Sequence, residues 1–257
     1  MAAQEYLVDA LNVHVYDTRD QMGQASANDA IRFLKEVLCH QATANVMFGA
    51  APSQNEMLAA MLRSDLDWSR INAFHMDEYI GLPQQHPAGF GNFLRRSLFD
   101  HVPFRNIFYL NGSADDLLEE CERYASLLAA HPIDVCMLGV GENGHIAFND
   151  PAEADFRDSK TVKIVELDQT CRMQQVHDGC FSSLSEVPTH ALTVTIPGMT
   201  AARAMFCTVP SVTKAKAVHN MLTGPISPAC PASILRLHHH AALYLDRDSA
   251  TLLPNFV

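Results

Sequence analysis

Two short stretches hold side chains able to move protons. The first, His75-Met76-Asp77-Glu78-Tyr79-Ile80-Gly81-Leu82-Pro83, places adjacent carboxylates at the end of an apolar run. Neighbouring side chains of an extended chain point to opposite faces, so only one of Asp77 and Glu78 enters a given pocket. A carboxylate desolvated at a strand end gains basicity and can take a proton from carbon next to a carbonyl. Solvated turn residues, or a cap on the following segment, are the plainer reading of the same letters. The second stretch is Gly139-Val140-Gly141-Glu142-Asn143-Gly144-His145-Ile146-Ala147-Phe148-Asn149-Asp150-Pro151. Its glycines let the backbone turn tightly and approach a ligand, and His145 with Asp150 reads as an acid/base imidazole held by a carboxylate. Gly139-x-Gly141-x-x-Gly144 is formally a dinucleotide fingerprint. However, Pro151 stands where a long helix should continue, and no acid is placed for a ribose. One carboxylate and one imidazole can take and give protons near neutral pH without a metal or redox carrier.

Other chemistries lack their residues. HExxH and GxSxG are absent, and Pro228-Ala229-Cys230-Pro231 offers one cysteine where a zinc deaminase needs PCxxC. His238, His239 and His240 are adjacent and cannot all aim at one metal. Lys and Arg number 18 against 29 Asp and Glu, a net charge of -11, which excludes nucleic acid and anionic membranes as partners drawn by the bulk field. An anionic ligand needs a local pocket. Seven cysteines without a CxxC pair suggest reduced thiols and a cytoplasmic enzyme, and no basic leader or membrane-length apolar run is present.

These residues must be positioned by a scaffold that 257 residues, 48% of them hydrophobic, can build as one domain spanning 1–257. Short apolar runs alternate with segments of helical period, which predicts an α/β fold with a mainly parallel central sheet. Strands are expected at 11–15, 45–49, 71–76, 106–110, 133–140, 162–166, 191–196, 204–209 and 242–245. Helices are expected at 17–40, 53–63, 89–101, 114–131, 168–176, 211–222 and 231–237. Ser53 and Ser211 sit where N-caps belong and Gly224 where a helix should stop. Ligands of such sheets bind beyond the carboxyl ends of the strands, where Asp77 and His145 both fall.

Taken in order, Phe74 to Leu82, Phe93 to Val102, Gly139 to Pro151 and the Ser-Val-Thr-Lys start at Lys214 resemble the glucosamine-6-phosphate deaminase (isomerase) family. The related 6-phosphogluconolactonases usually carry GHTASLFP after the glycine turn, whereas this chain has Gly144-His145-Ile146-Ala147-Phe148-Asn149. The resemblance implies a modified Rossmann-like three-layer sandwich and cofactor-free conversion of an amino-sugar phosphate to a ketose phosphate and ammonia. By that analogy Asp77 shuttles a proton between C2 and C1, His145 handles the ring-oxygen proton, and Asn143 and Asp150 complete the catalytic set. Asp150 stands where the family commonly has Glu. The implied sugar-phosphate contacts are Ala50, Ala51, Ser53, Gln54, Glu78, Gly141, Gly144, Arg172 and Lys214. The phosphate end departs from the family: Pro52 has no N-H to donate, and the family's phosphate-binding Arg falls at or near His177, leaving Arg172 to turn inward or the sugar to be held differently. A lactonase, an isomerase of another sugar and a non-catalytic sugar-phosphate sensor are the alternatives, and the assembly, homo-oligomer or monomer, stays open.

Overall fold

A computed structural model describes residue 2 and residues 4–253. Its strands are β1 (Gln4–Val8), β2 (Leu11–Tyr16), β3 (Ala44–Phe48), β4 (Ile71–His75), β5 (Asp77–Tyr79), β6 (Asn106–Phe108), β7 (Val135–Leu138), β8 (Val162–Glu166), β9 (His190–Val194), β10 (Ala204–Val209) and β11 (Ala241–Asp246). The helices are α1 (Arg19–His40), α2 (Asn55–Leu62), α3 (Phe90–Leu94), α4 (Leu117–Ala130), α5 (Gln169–His177), α6 (Ile196–Thr200) and α7 (Ala215–Thr223).

Eight strands form the central sheet in the order β1-β2-β11-β10-β7-β3-β4-β6, parallel throughout except for β1 against β2. Period-two alternation distributes their side chains. Val46, Phe48, Val135, Met137 and Phe206 join one core with α1 and α2, while Met47, Cys136, Leu138, Met205 and Cys207 join the other with α4 and α7. Both faces are therefore covered, as a parallel sheet requires. Helix α1 begins where the Thr18 hydroxyl accepts the Gln21 N-H and turns Met22, Ala27, Ala30, Leu34, Val37 and Leu38 onto the sheet.

The α/β class and mainly parallel sheet are as expected, with several local corrections. Segments 162–166 and 191–196 leave the central sheet: β8 and β9 pair with β5 in a separate antiparallel sheet, β5-β9-β8. The apolar run of β9 stops at Val194, because Thr195 caps α6 and Pro197 lies in its first turn. Ser53 caps nothing, since the chain enters α2 through a tight 3-10 turn, Pro52–Gln54, from extended Ala51. The segment 231–237 is likewise 3-10. Ser211 accepts the Thr213 N-H and Gly224 ends α7, both as expected. The edge strand β1 and the short β5 are additions.

Candidate active site

From β3 the chain builds outward to β4 and β6, and from the neighbouring β7 it builds the other way to β10 and β11. The crevice beyond the carboxyl ends of β3, β7 and β4 is therefore a topological switch point. A narrow cavity of about 60 Å³ opens there, lined by Ala50, Ala51, Ser53 and Gln54 after β3, Asp77 after β4, and Gly139, Gly141 and His145 after β7. Phe90 and Phe148 close its sides, and Gln174 and Gln175 of α5 reach in from across the crevice.

Asp77 is 6% exposed, and its Oδ1 is buried without a hydrogen-bond partner. Burial first, and the Glu78 charge second, hold its carboxyl well above the usual carboxylate range. Glu78 faces elsewhere. Its Oε1 accepts the N-H groups of Tyr79 (2.9 Å) and Phe90 (3.0 Å), and its Oε2 accepts that of Gly91 (2.9 Å). Glu78 thus caps α3 and borders a separate surface pocket, so its expected substrate contact is replaced by a structural one. Of the two carboxylates, one serves the cavity and the other the scaffold, as strand alternation requires.

His145 is seated by Gly141: a Cβ there would lie 2.2 Å from the imidazole, so only glycine lets the ring pack onto the turn. Gly144 adopts φ +87 with its bare Cα against Cys230, which makes it a turn residue away from the cavity lining. The His145 Nδ1 stands 2.9 Å from Asp150 Oδ1 but off the line of a good hydrogen bond. Asn143 binds the turn together. Its Oδ1 accepts the His145 N-H (3.0 Å), and its Nδ2 donates to Asp150 Oδ1 (2.9 Å) and Asp168 Oδ2 (2.8 Å). Asp168 in turn caps α5 through the Cys171 N-H and donates its own N-H to Asp150 Oδ2. Burial works against ionised Asp150, yet His145, Asn143 and the Asp168 N-H outweigh it and hold its pKa below the usual value. Asn143 and Asp150 do not line the cavity; they position the imidazole that does. Ala147, also on the lining, has φ +47, a left-handed conformation costly for a residue with a Cβ.

At the other end, the Gln54 Nε2 donates to Thr208 O and Ser53 Oγ, both at 3.1 Å, and its Oε1 is buried without a partner. The Lys214 amine is buried and unpartnered, near the charges of Glu142 and Asp178, and burial lowers its pKa despite them. Lys214 lies outside the narrow cavity. Arg172 does not turn inward: its Nη2 donates to the carbonyls of Leu184 and Val187, both at 2.8 Å. His177, in the place expected for a phosphate-binding Arg, has its Nδ1 3.5 Å from Glu142. Gln174 and Gln175 are cavity residues that no motif marked. Their signal is the buried side of a short capped helix following the glycine turn.

Residues 17–244 match the family of glucosamine-6-phosphate isomerases and 6-phosphogluconolactonases. Glucosamine-6-phosphate deaminases of Bacillus thuringiensis (strain Al Hakam) and Bacillus anthracis (strain A0248) are each 34% identical over 242 residues, 94% of this chain and 89% of theirs. Among solved structures, a monomeric glucosamine-6-phosphate deaminase superposes with a TM-score of 0.86 at 29% identity, covering 93% of this chain and 99% of its own. A 6-phosphogluconolactonase from Trypanosoma brucei shares the fold, with a TM-score of 0.77 at 17% identity over 97% of this chain and all of its own. By residue match and by fold, this chain belongs to the glucosamine-6-phosphate isomerase/6-phosphogluconolactonase family.

Proposed function

We propose that the protein is an amino-sugar-phosphate deaminase that converts glucosamine 6-phosphate, or a closely related hexosamine phosphate, to the ketose phosphate and ammonia. The observation that carries this reading is the convergence of Asp77 and His145 on one cavity at the sheet's switch point. The 34% identity to deaminases, against 17% to a lactonase, supports the reaction type.

In this reading His145 passes a proton to the ring oxygen and opens the sugar, its Nδ1 side facing Asp150 and leaving Nε2 for the substrate. The Asp77 carboxylate then takes the C2 hydrogen as a proton while O1 takes up a proton, giving an enolamine. Asp77 returns its proton to C1, and the C2 amine gives up an N-H proton, in balance with the one taken up by O1, to become an imine. Water adds to that imine, ammonia leaves, and the C2 ketone remains. Basicity in Asp77 comes from the same burial that leaves its Oδ1 unpartnered. In this reading the reacting carbons C1 and C2 lie in the narrow cavity between Asp77 and His145. Lys214 is the cation assigned to the phosphate, its buried amine still lacking a partner.

The test is release of ammonia, coupled to ketose formation, across a panel of hexosamine phosphates and free hexosamines. Glucosamine 6-phosphate or an epimer is expected to give both products in equal amounts. Hydrolysis of a sugar-phosphate lactone with no ammonia from any hexosamine would overturn the assignment.

A further inference from the structure

Behind the imidazole, on the side away from the substrate, a third donor joins His145 and Asp150. The Sγ of Cys171, the His145 ring nitrogen and an Asp150 carboxylate oxygen all lie within 4.8 Å of one another, and the three residues are buried. Thiolate, imidazole and carboxylate together are a donor set for zinc. A second observation points the same way. His145 Nδ1 is buried and faces Asp150 Oδ1 at 2.9 Å, so two of the three donors already converge on one point. We infer that His145, Asp150 and Cys171 form a site for a thiophilic divalent cation of the zinc class, and that its occupation shuts off catalysis.

The charges balance. Zinc brings two positive charges, the Asp150 carboxylate and the Cys171 thiolate supply two negative ones, and the imidazole is a neutral ligand. The resulting neutral unit can sit where an unpaired ion could not. On binding, the thiol proton goes to solvent and the His145 proton moves to Nε2, freeing the Nδ1 lone pair. Ideal bond lengths place tetrahedral ligand atoms about 3.3–3.6 Å apart, within the 4.8 Å that bounds the three atoms here, so only small side-chain adjustments are needed on binding. Bound metal would take from His145 the carboxylate that orients it and fix the ring in one protonation state, which ends its service as acid and base. Asp168, which caps α5 and so fixes Cys171 one turn along, ties the thiol to the same network.

Metal binding can be read apart from turnover, and only the inhibition rests on the proposed reaction. Titration of the full-length protein with cobalt(II) should give one equivalent bound, with a thiolate-to-metal charge-transfer band that zinc displaces. Cys171→Ser should lose the band while still releasing ammonia, and its inhibition by zinc chloride should be at least about 10-fold weaker than that of the native protein. Chelation with EDTA should restore native activity. The exposed thiol of Cys39 and the run His238 to His240 offer other contacts for a metal, but a band from them would survive Cys171→Ser. Cys171→Ala, with thermal melting, guards against a folding defect in the serine variant. A band that persists in both variants, or zinc inhibition equal in native and Cys171→Ser protein, would overturn the site. Zinc bound through Cys171 without loss of ammonia release, in a protein that releases it, would overturn the inhibitory role.

Discussion

At the scale of single residues, one carboxylate carries opposite consequences for reaction and stability. Burial raises the Asp77 pKa in the folded state, so the native protein binds a proton there that the unfolded chain has already released. Its contribution to stability is complete below the unfolded carboxylate pKa and is lost as pH rises through the folded value. Asp77→Asn should therefore abolish ammonia release and solvent exchange at C2, yet melt higher than the native protein at pH 8. A chain of this size gains about 2–4 °C per kcal/mol so relieved. At pH 3.5 the two should melt together. Measured turnover by Asp77→Asn would remove Asp77 as the base, and equal melting at pH 8 would remove the burial argument. Asn143 gives a milder case. Asn143→Ala takes away the amide bridging Asp150 and Asp168 and should lower kcat about 10- to 100-fold with little change in KM, as for other groups that orient an imidazole. Asp77 was legible in sequence because it ends an apolar run, and His145 because it stands in the glycine turn that follows another. The partner of Glu78 was not, because the N-H groups it caps lie 12 and 13 residues downstream.

Elements of the central sheet could be read because its strands, buried on both faces, leave short unbroken apolar runs between helical segments. The small antiparallel sheet could not. β8 and β9 present the same letters as parallel strands, and only pairing with the three-residue β5 reveals where they belong. That β5 begins at Asp77 matters for the site, since Met76 O accepts the Val194 N-H and pins the strand end on which the proposed base stands. Its next residue, Glu78, ties the same strand end to α3. Glu78→Gln takes an acceptor from backbone donors at a helix start, a loss of about 1–2 kcal/mol in denaturant unfolding. At neutral pH that loss is partly offset, because burial holds the Glu78 pKa above its usual value despite those donors. The same change removes the second cause that raises the Asp77 pKa, so the acid limb of kcat/KM against pH should move to lower pH. A direct substrate contact would show instead as a raised KM with the limb unmoved.

For the molecule as a whole, acid stability follows from a buried histidine that no motif marked as special. His75 ends β4 fully buried, its Nε2 accepting the Leu110 N-H at 2.8 Å, and burial lowers its pKa to about 4. The native state therefore keeps the ring neutral where the unfolded chain binds a proton. Stability from His75 is complete above the unfolded histidine pKa near 6.5 and falls away as pH drops toward 4, by about 3 kcal/mol. Asp77 runs against it, since its protonated form favours the folded state in the same interval. His75→Gln keeps an oxygen to accept the Leu110 N-H but cannot take up a proton. Urea unfolding of the two proteins should show the variant less stable at pH 7, with the gap narrowing by about 3 kcal/mol by pH 4. Combining Asp77→Asn with native His75 should steepen the acid loss, because the opposing carboxyl is gone. A gap between native and His75→Gln protein that stays constant from pH 7 to pH 4 would mean that the ring takes up its proton as readily folded as unfolded, which a fully desolvated imidazole at the end of β4 cannot do.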